Sequence, residues 1–175
     1  NPRNSEGSFI TLEDGRIMFA WSRYRGESWA DEARADIAVR YSGDGGATWT
    51  QNDEIIIEDE GDQNVMSVSL LRLDDGRIAL FYLRKNGDTD CHPRMRISED
   101  EGRSWGDSVH CGAFPGYFCL LNDQALQLRS GRILLPVSCH TVLTEEGRVV
   151  QGPNSVVCFL SDDRGESWQA SQQWA

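Results

Sequence analysis

A few arginines, three loop aspartates, an asparagine and two histidines are the residues whose types and spacing could do chemistry. Arg23 and Arg84 hold equivalent places, eight residues after Gly15 and Gly76; at the third such place stands Cys139, followed by His140. Arg3, Asp31, Asn64, Asp88, Asp90 and His92 fall in the same class of connecting segment. A planar guanidinium grips a carboxylate through two parallel hydrogen bonds. An aspartate beside a leaving oxygen can give and take a proton, and a histidine can orient a hydroxyl or shuttle a proton. These types suit a small anionic ligand. The plain alternative for a strand-end arginine is a solvated charge or an ion pair, and for a loop histidine an ordinary surface residue.

What positions these residues is a repeat. Ser8 to Ala20, Val68 to Leu83 and Gln124 to Val137 each read as strand, tight Asp/Ser-Gly turn, strand, with Gly-Arg-Ile beginning at residues 15, 76 and 131. That pattern is a β-hairpin. Interleaved with it, Ser42–Trp49, Ser98–Trp105 and Ser161–Trp168 all fit S-x-D-x-G-x-[ST]-W. In this octapeptide the Asp carboxylate accepts hydrogen bonds from the turn's own N–H groups, the Gly permits positive φ, and the Trp packs back as an anchor. Asp44, Asp100 and Asp163, with Trp49, Trp105 and Trp168, are therefore structural. Each unit of roughly 55 to 63 residues holds two hairpins, hence four strands. Four-stranded sheets at such a period indicate propeller blades. The expected fold is all-β: an antiparallel propeller, with blade one at about 7–57, blade two at about 65–109 and blade three at about 117–175.

Strand parity then sorts the connections. The short hairpin turns lie on one face of such a sheet. The remaining connections, residues 3–7, 23–35, 58–65, 84–93, 110–117 and 139–153, are expected to be long loops on the other, where binding concentrates. Trp29 and Tyr117 could stack there on a sugar ring, while Trp21, within a strand, reads as packing. The acidic stretch from Asp53 to Asp62 reads as a solvated connection.

The three octapeptides are Asp-boxes, or bacterial neuraminidase repeats, and nearly the whole chain resembles the sialidase superfamily. That resemblance implies a six-bladed propeller of which this chain covers about half, and an exo-acting glycoside hydrolase that removes terminal sialic acid or a related acidic sugar. It places Arg3, at the entrance to the first strand, among three arginines that hold the substrate carboxylate. Phe19-Ala20-Trp21-Ser22-Arg23 looks like the family's Phe-Ala-x-x-Arg strand end. Asp31 is similar in place to the acid/base aspartate, with Asp36 as its competitor, and Asn64 resembles a pocket-edge position. Arg84 and His140 complete the expected substrate-binding set. The chain departs from the pattern in having Arg3-Asn4-Ser5-Glu6 where the family has Arg-Ile-Pro, in a longer 23–31 loop, and in Glu6, a local partner for Arg3 or a mark of another substrate. The family's other two arginines, its nucleophilic Tyr and that residue's Glu have no matching segment here, so this chain alone is expected to be catalytically incomplete. Two further readings keep the propeller: a hydrolase for another sugar, and a non-catalytic module that binds a glycan or a protein.

Composition bounds the partners. The 17 Lys and Arg against 28 Asp and Glu leave a net charge of −11, which argues against nucleic acid. No apolar run approaches a membrane span. Five cysteines without C-x-x-C spacing read as buried thiols with at most one disulfide, and no metal site or cofactor is expected. A missing half of the propeller, or self-association, is expected to cover the ends of a three-blade piece. The family resemblance leans towards a secreted or periplasmic protein and leaves the cytoplasm open. The chain opens Asn1-Pro2-Arg3 with no leader pattern, so compartment stays unassigned.

Overall fold

Alternating apolar and polar residues between Gly-containing turns leave the backbone little choice but paired strands. The computed structural model describes residues 3–143, 149–150, 155–173 and 175. Strands β1 (Asn4–Thr11), β2 (Ile17–Tyr24), β3 (Ala35–Ser42) and β4 (Glu54–Ile57) form one four-stranded antiparallel sheet in chain order. A second antiparallel run contains β5 (Asn64–Arg72), β6 (Ile78–Gly87), β7 (Asp90–Ser98) and β8 (Val109–His110). A third contains β9 (Gly116–Leu120), β10 (Leu126–Gln127), β11 (Ile133–Leu143), β12 (Val149–Val150), β13 (Ser155–Ser161) and β14 (Gln169–Ala170). The single parallel bridge Cys91↔Tyr117 joins β7 to β9 and makes the second and third runs one continuous sheet.

The Gly-Arg-Ile hairpins close identically. Leu12, Leu73 and Leu128 donate from N–H to the carbonyls of Arg16, Arg77 and Arg132, at 2.8, 2.9 and 2.8 Å. Gly15, Gly76 and Gly131 carry the positive φ of 86°, 91° and 88° that this closure needs.

The core lies between the layers. Met18, Ala20, Ile37 and Val39 of the first sheet meet Val65, Val68, Leu70, Ile78, Leu80 and Tyr82 of the second run. Ala79, Phe81, Leu83 and Met95, on the opposite face of that run, meet Phe118, Leu135, Val137, Val157 and Phe159 of the third. Strand β6 is thus buried on both faces, as its unbroken apolar run Ile78–Leu83 requires. The outer layers keep open faces, with Phe9 exposed on one and Leu126 and Val156 on the other.

Three local expectations change. Residues 84–93 are mostly strand, because β6 and β7 run on to a tight turn at Asp88-Thr89. Residues 4–7 belong to β1, with a bulge between Ser5 and Gly7. No disulfide joins the five cysteines, so the optional bridge is absent. The 139–153 connection lies partly outside the described residues.

Candidate functional site

The three Asp-boxes hold the hairpin turns on the face away from the long connections. In the first, the Ser42 hydroxyl donates to Asp44 Oδ1 at 2.8 Å and accepts from Gly46 N–H at 2.8 Å, while Thr48 donates to Asp44 from N–H (2.8 Å) and hydroxyl (2.7 Å). Ser98, Asp100 and Ser104 repeat this, as do Ser161, Asp163 and Ser167. Those donated bonds hold the Asp44, Asp100 and Asp163 carboxyls at about 2. Trp49 and Trp168 close their turns on the carbonyls of Gly46 and Gly165, both at 3.1 Å. Trp105 differs: its buried Nε1 has no partner among the described residues. The leading Ser of the motif, to which the sequence assigned no role, satisfies the Gly N–H.

On the opposite face Arg3, Asp31 and Asn64 come together. The Arg3 guanidinium lies over the Tyr24 ring, 4.3 Å from its centroid, and donates to Asp31 Oδ1 and to the Trp29 carbonyl at 3.3 Å. The Asp31 side chain remains 66% exposed. Buried Asn64 donates from Nδ2 to the carbonyls of Asp31 and Ala33, fastening the loop that carries the aspartate. Its Oδ1 is buried and unpartnered. Further pins on this loop are Arg25 N–H to Arg34 O at 2.7 Å and Arg34 Nη1 to Asp59 Oδ1 at 3.0 Å. Trp29, 72% exposed, stands in the same loop. The Glu6 side chain lies outside what is described.

Arg23 and Arg84 do not join this cluster. Side chains alternate along β2, and Arg23 shares the open face of the first sheet with Phe19 and Trp21. There its Nε donates to Asp53 at 3.0 Å, and its Nη1 lies 3.5 Å from Asp36. Asp36, the competitor for the acid/base place, is buried between Arg25 and Arg23, and Arg25 Nε reaches it at 2.7 Å. Arg84 lies 3.8 Å from Glu60, which also accepts from Arg96 (2.9 Å), Tyr82 (2.9 Å) and Ser108 (3.1 Å). Burial pushes the Glu60 carboxyl up, but the Arg96 and Tyr82 hydrogen bonds outweigh it and leave it lowered. Asp53 and Glu60 are therefore ion-pair anchors, which corrects the reading of residues 53–62 as a merely solvated stretch. Trp21 is buried, stacked on Phe19 at 5.3 Å, as a strand residue should be.

His140 packs edge-on against Tyr117 with centroids 6.0 Å apart, and the Lys85 ammonium lies 5.6 Å from the same ring's centroid. The Tyr117 phenol is pushed up by burial, with Cys91, Cys119, Asp31 and Asp88 adding to the effect. Asp31 is thus within electrostatic range of Tyr117, and Asn64, paired in register with Lys85, bridges the two groups. Sequence reading missed Tyr24 and Lys85. Tyr24 carries no local signal, but Lys85 does: it is the only lysine among 17 Lys and Arg residues. His92 sits elsewhere, 4.7 Å from His110 and 3.4 Å from the Asp90 carboxylate. Among the described residues no cluster of His, Cys, Asp or Glu could hold a metal ion. Concavity does not mark the site either: a cleft of about 550 Å³ opens on the Asp-box side, between Asp74, Met95 and Arg164.

Comparison with known proteins follows the same lines. A family model described as BNR repeat-like domain matches residues 15–174. No curated protein sequence matches the chain. Among solved structures, the Hadza microbial sialidase Hz136 superposes with a TM-score of 0.70 at 16% identity, over 95% of this chain and 37% of that one. A protein of unknown function from Dyadobacter fermentans gives 0.73 at 20% identity, over 98% and 55%. The NanB sialidase of Streptococcus pneumoniae gives 0.70 at 14%, over 97% and 44%. The chain therefore spans between about a third and just over half of these three structures, and at these identities the likeness establishes the β-propeller fold.

Proposed function

The chain belongs to the BNR repeat-like domain family and has the fold of sialidase β-propellers, and on that premise we propose that it forms part of an exo-acting glycosidase whose loop face takes a terminal acidic sugar. The observation that carries this reading is the convergence of Arg3, Asp31 and Asn64 from segments far apart in sequence. An arginine stacked on Tyr24 is pre-ordered to receive a carboxylate. In the ligand-free arrangement Asp31 accepts from Arg3. A substrate carboxylate that takes over the guanidinium frees Asp31 to carry a proton to the departing glycosidic oxygen, and later to take one from water. Asn64 holds the loop backbone, which keeps the carboxyl within reach as its partner changes. Arg23 and Arg84, committed to other carboxylates, stand outside the proposed site, and His140 borders it through Tyr117. The remaining blades of the propeller would supply the nucleophile.

Release of fluorophore from an α-sialoside by the intact protein tests this. We expect Asp31→Ala to lower kcat by 10²-fold or more, the usual scale of a lost acid–base group. Arg3→Ala should raise KM as well. Turnover indifferent to both substitutions would reject the site. Binding of the sugar without turnover would assign a non-catalytic glycan-binding propeller.

A further inference from the structure

Lys85 combines three features that do not ordinarily occur together. It is the chain's only lysine, it retains 3% of its accessible surface, and no carboxylate oxygen of the described residues lies within ion-pairing distance of its ammonium. Lysines are almost never buried without a partner, because desolvating an ammonium is costly unless something opposes its charge. Here the Tyr117 ring faces the ammonium, 5.6 Å away at its centroid. Of the arginines expected at this face, Arg23 is engaged with Asp36 and Asp53 and Arg84 with Glu60, which leaves Arg3 as the one the substrate carboxylate can take over. Lys85 is held at its place by strand pairing, opposite Asn64 on β5 and Cys91 on β7. It therefore adjoins Asn64, the residue that fastens the Asp31 loop. An ammonium with no carboxylate partner, still open to solvent at its tip, can take an anionic group that arrives from outside.

We propose that Lys85 is a ligand-binding residue of this face, whose ammonium takes the carboxylate of an acidic sugar and whose Tyr117 cover forms an apolar wall beside it. This rests on the glycosidase reading for the sugar and on the geometry alone for the anion. A point-like ammonium on a flexible stem fits the space beneath a ring where a planar guanidinium fork would need two in-plane acceptors. The assignment moves part of the carboxylate recognition from arginine to a lysine on the second run of strands.

The test uses intact protein made with ¹³C-labelled lysine, with Lys85→Arg identifying the Lys85 resonance by its loss. Sodium acetate, N-acetylneuraminate and the methyl ester of N-acetylneuraminic acid are titrated in turn, and affinity is measured again for Lys85→Gln. We expect the acid to move the Lys85 resonance, the ester to move it far less, and Lys85→Gln to lose at least ten-fold in affinity for the acid with little change for the ester. Movement with acetate but with neither sugar would support the anion site and reject the glycosidase reading. Sugar binding that leaves the resonance still, or equal affinity in Lys85→Gln, would overturn the assignment and leave the glycosidase reading standing. A resonance that responds to none of the three would also overturn it.

Discussion

His92 shows what a single residue contributes beyond the proposed site. Burial, with the charge of nearby His110 adding to it, pushes its titration down to about 4. Its Nδ1 is buried without a partner among the described residues, so a second proton there would have no acceptor. In the unfolded chain the same imidazole takes a proton near 6.5. The unfolded state therefore binds more protons between those values, and stability falls as pH drops through about 6.5 towards about 4. Denaturant melts of wild type and His92→Gln across that window should differ in slope, with the variant flatter. Identical slopes would mean that the ring is solvated in the folded state. The box aspartates act in a lower window: with folded values near 2, their contribution is complete above about 4 and is lost as pH falls towards 2.

At the scale of the element, the Asp-box works as a latch as well as a turn. Glu101 and Arg164 hold the same place, just before the box glycine, and both have positive φ. Glu101 accepts from Glu13 N–H at 2.7 Å and from both Arg72 Nη atoms, so the second box grips the first hairpin. Arg164 reaches Asp74 at 3.2 Å and Asp75 at 3.5 Å, so the third box grips the second hairpin. The second and third boxes thereby tie their own runs of strands to the run before. The box serine is the sensitive point, since Ser98 is buried and its hydroxyl satisfies Gly102 N–H at 2.8 Å. Ser98→Ala should cost about 1–3 kcal/mol, the penalty of a buried donor left unmade. Urea melts would show this as a lower midpoint at unchanged m.

At the scale of the whole molecule, the stacking of layers decides which apolar residues matter. Phe81 is fully buried between the second and third runs, whereas Phe9 is 57% exposed on the open face of the first sheet, stacked 4.4 Å from Phe19. Truncating a large aromatic in a filled core costs about 3–5 kcal/mol. Phe81→Ala should fall in that range, and Phe9→Ala should cost less than about 1 kcal/mol. Comparable losses for the two would show that another layer covers Phe9 in solution, as a closed ring of blades or a second copy would do.

Local chemistry made much of this legible in the sequence. The hairpins, the boxes and the sorting of connections onto two faces follow from Gly φ preference, Asp turn bonding and strand alternation, each acting within a few residues. Asp31 and Asn64 were singled out by their place in the repeat together with the family resemblance, and in the structure Asp31 meets Arg3 while Asn64 holds the Asp31 backbone. Which cations would be engaged was not legible. Arg23 meets Asp53 and Arg84 meets Glu60 because loops distant in sequence fold back against strand ends, and electrostatic pairing depends on three-dimensional distance. The same holds for Lys85, whose burial beneath Tyr117 exists only once the bridge Cys91↔Tyr117 has docked the third run against the second. The repeat and the face that carries the long connections follow from the sequence, because turn chemistry and strand alternation act locally; which charges on that face meet a carboxylate follows from tertiary packing, because pairing depends on distance in space.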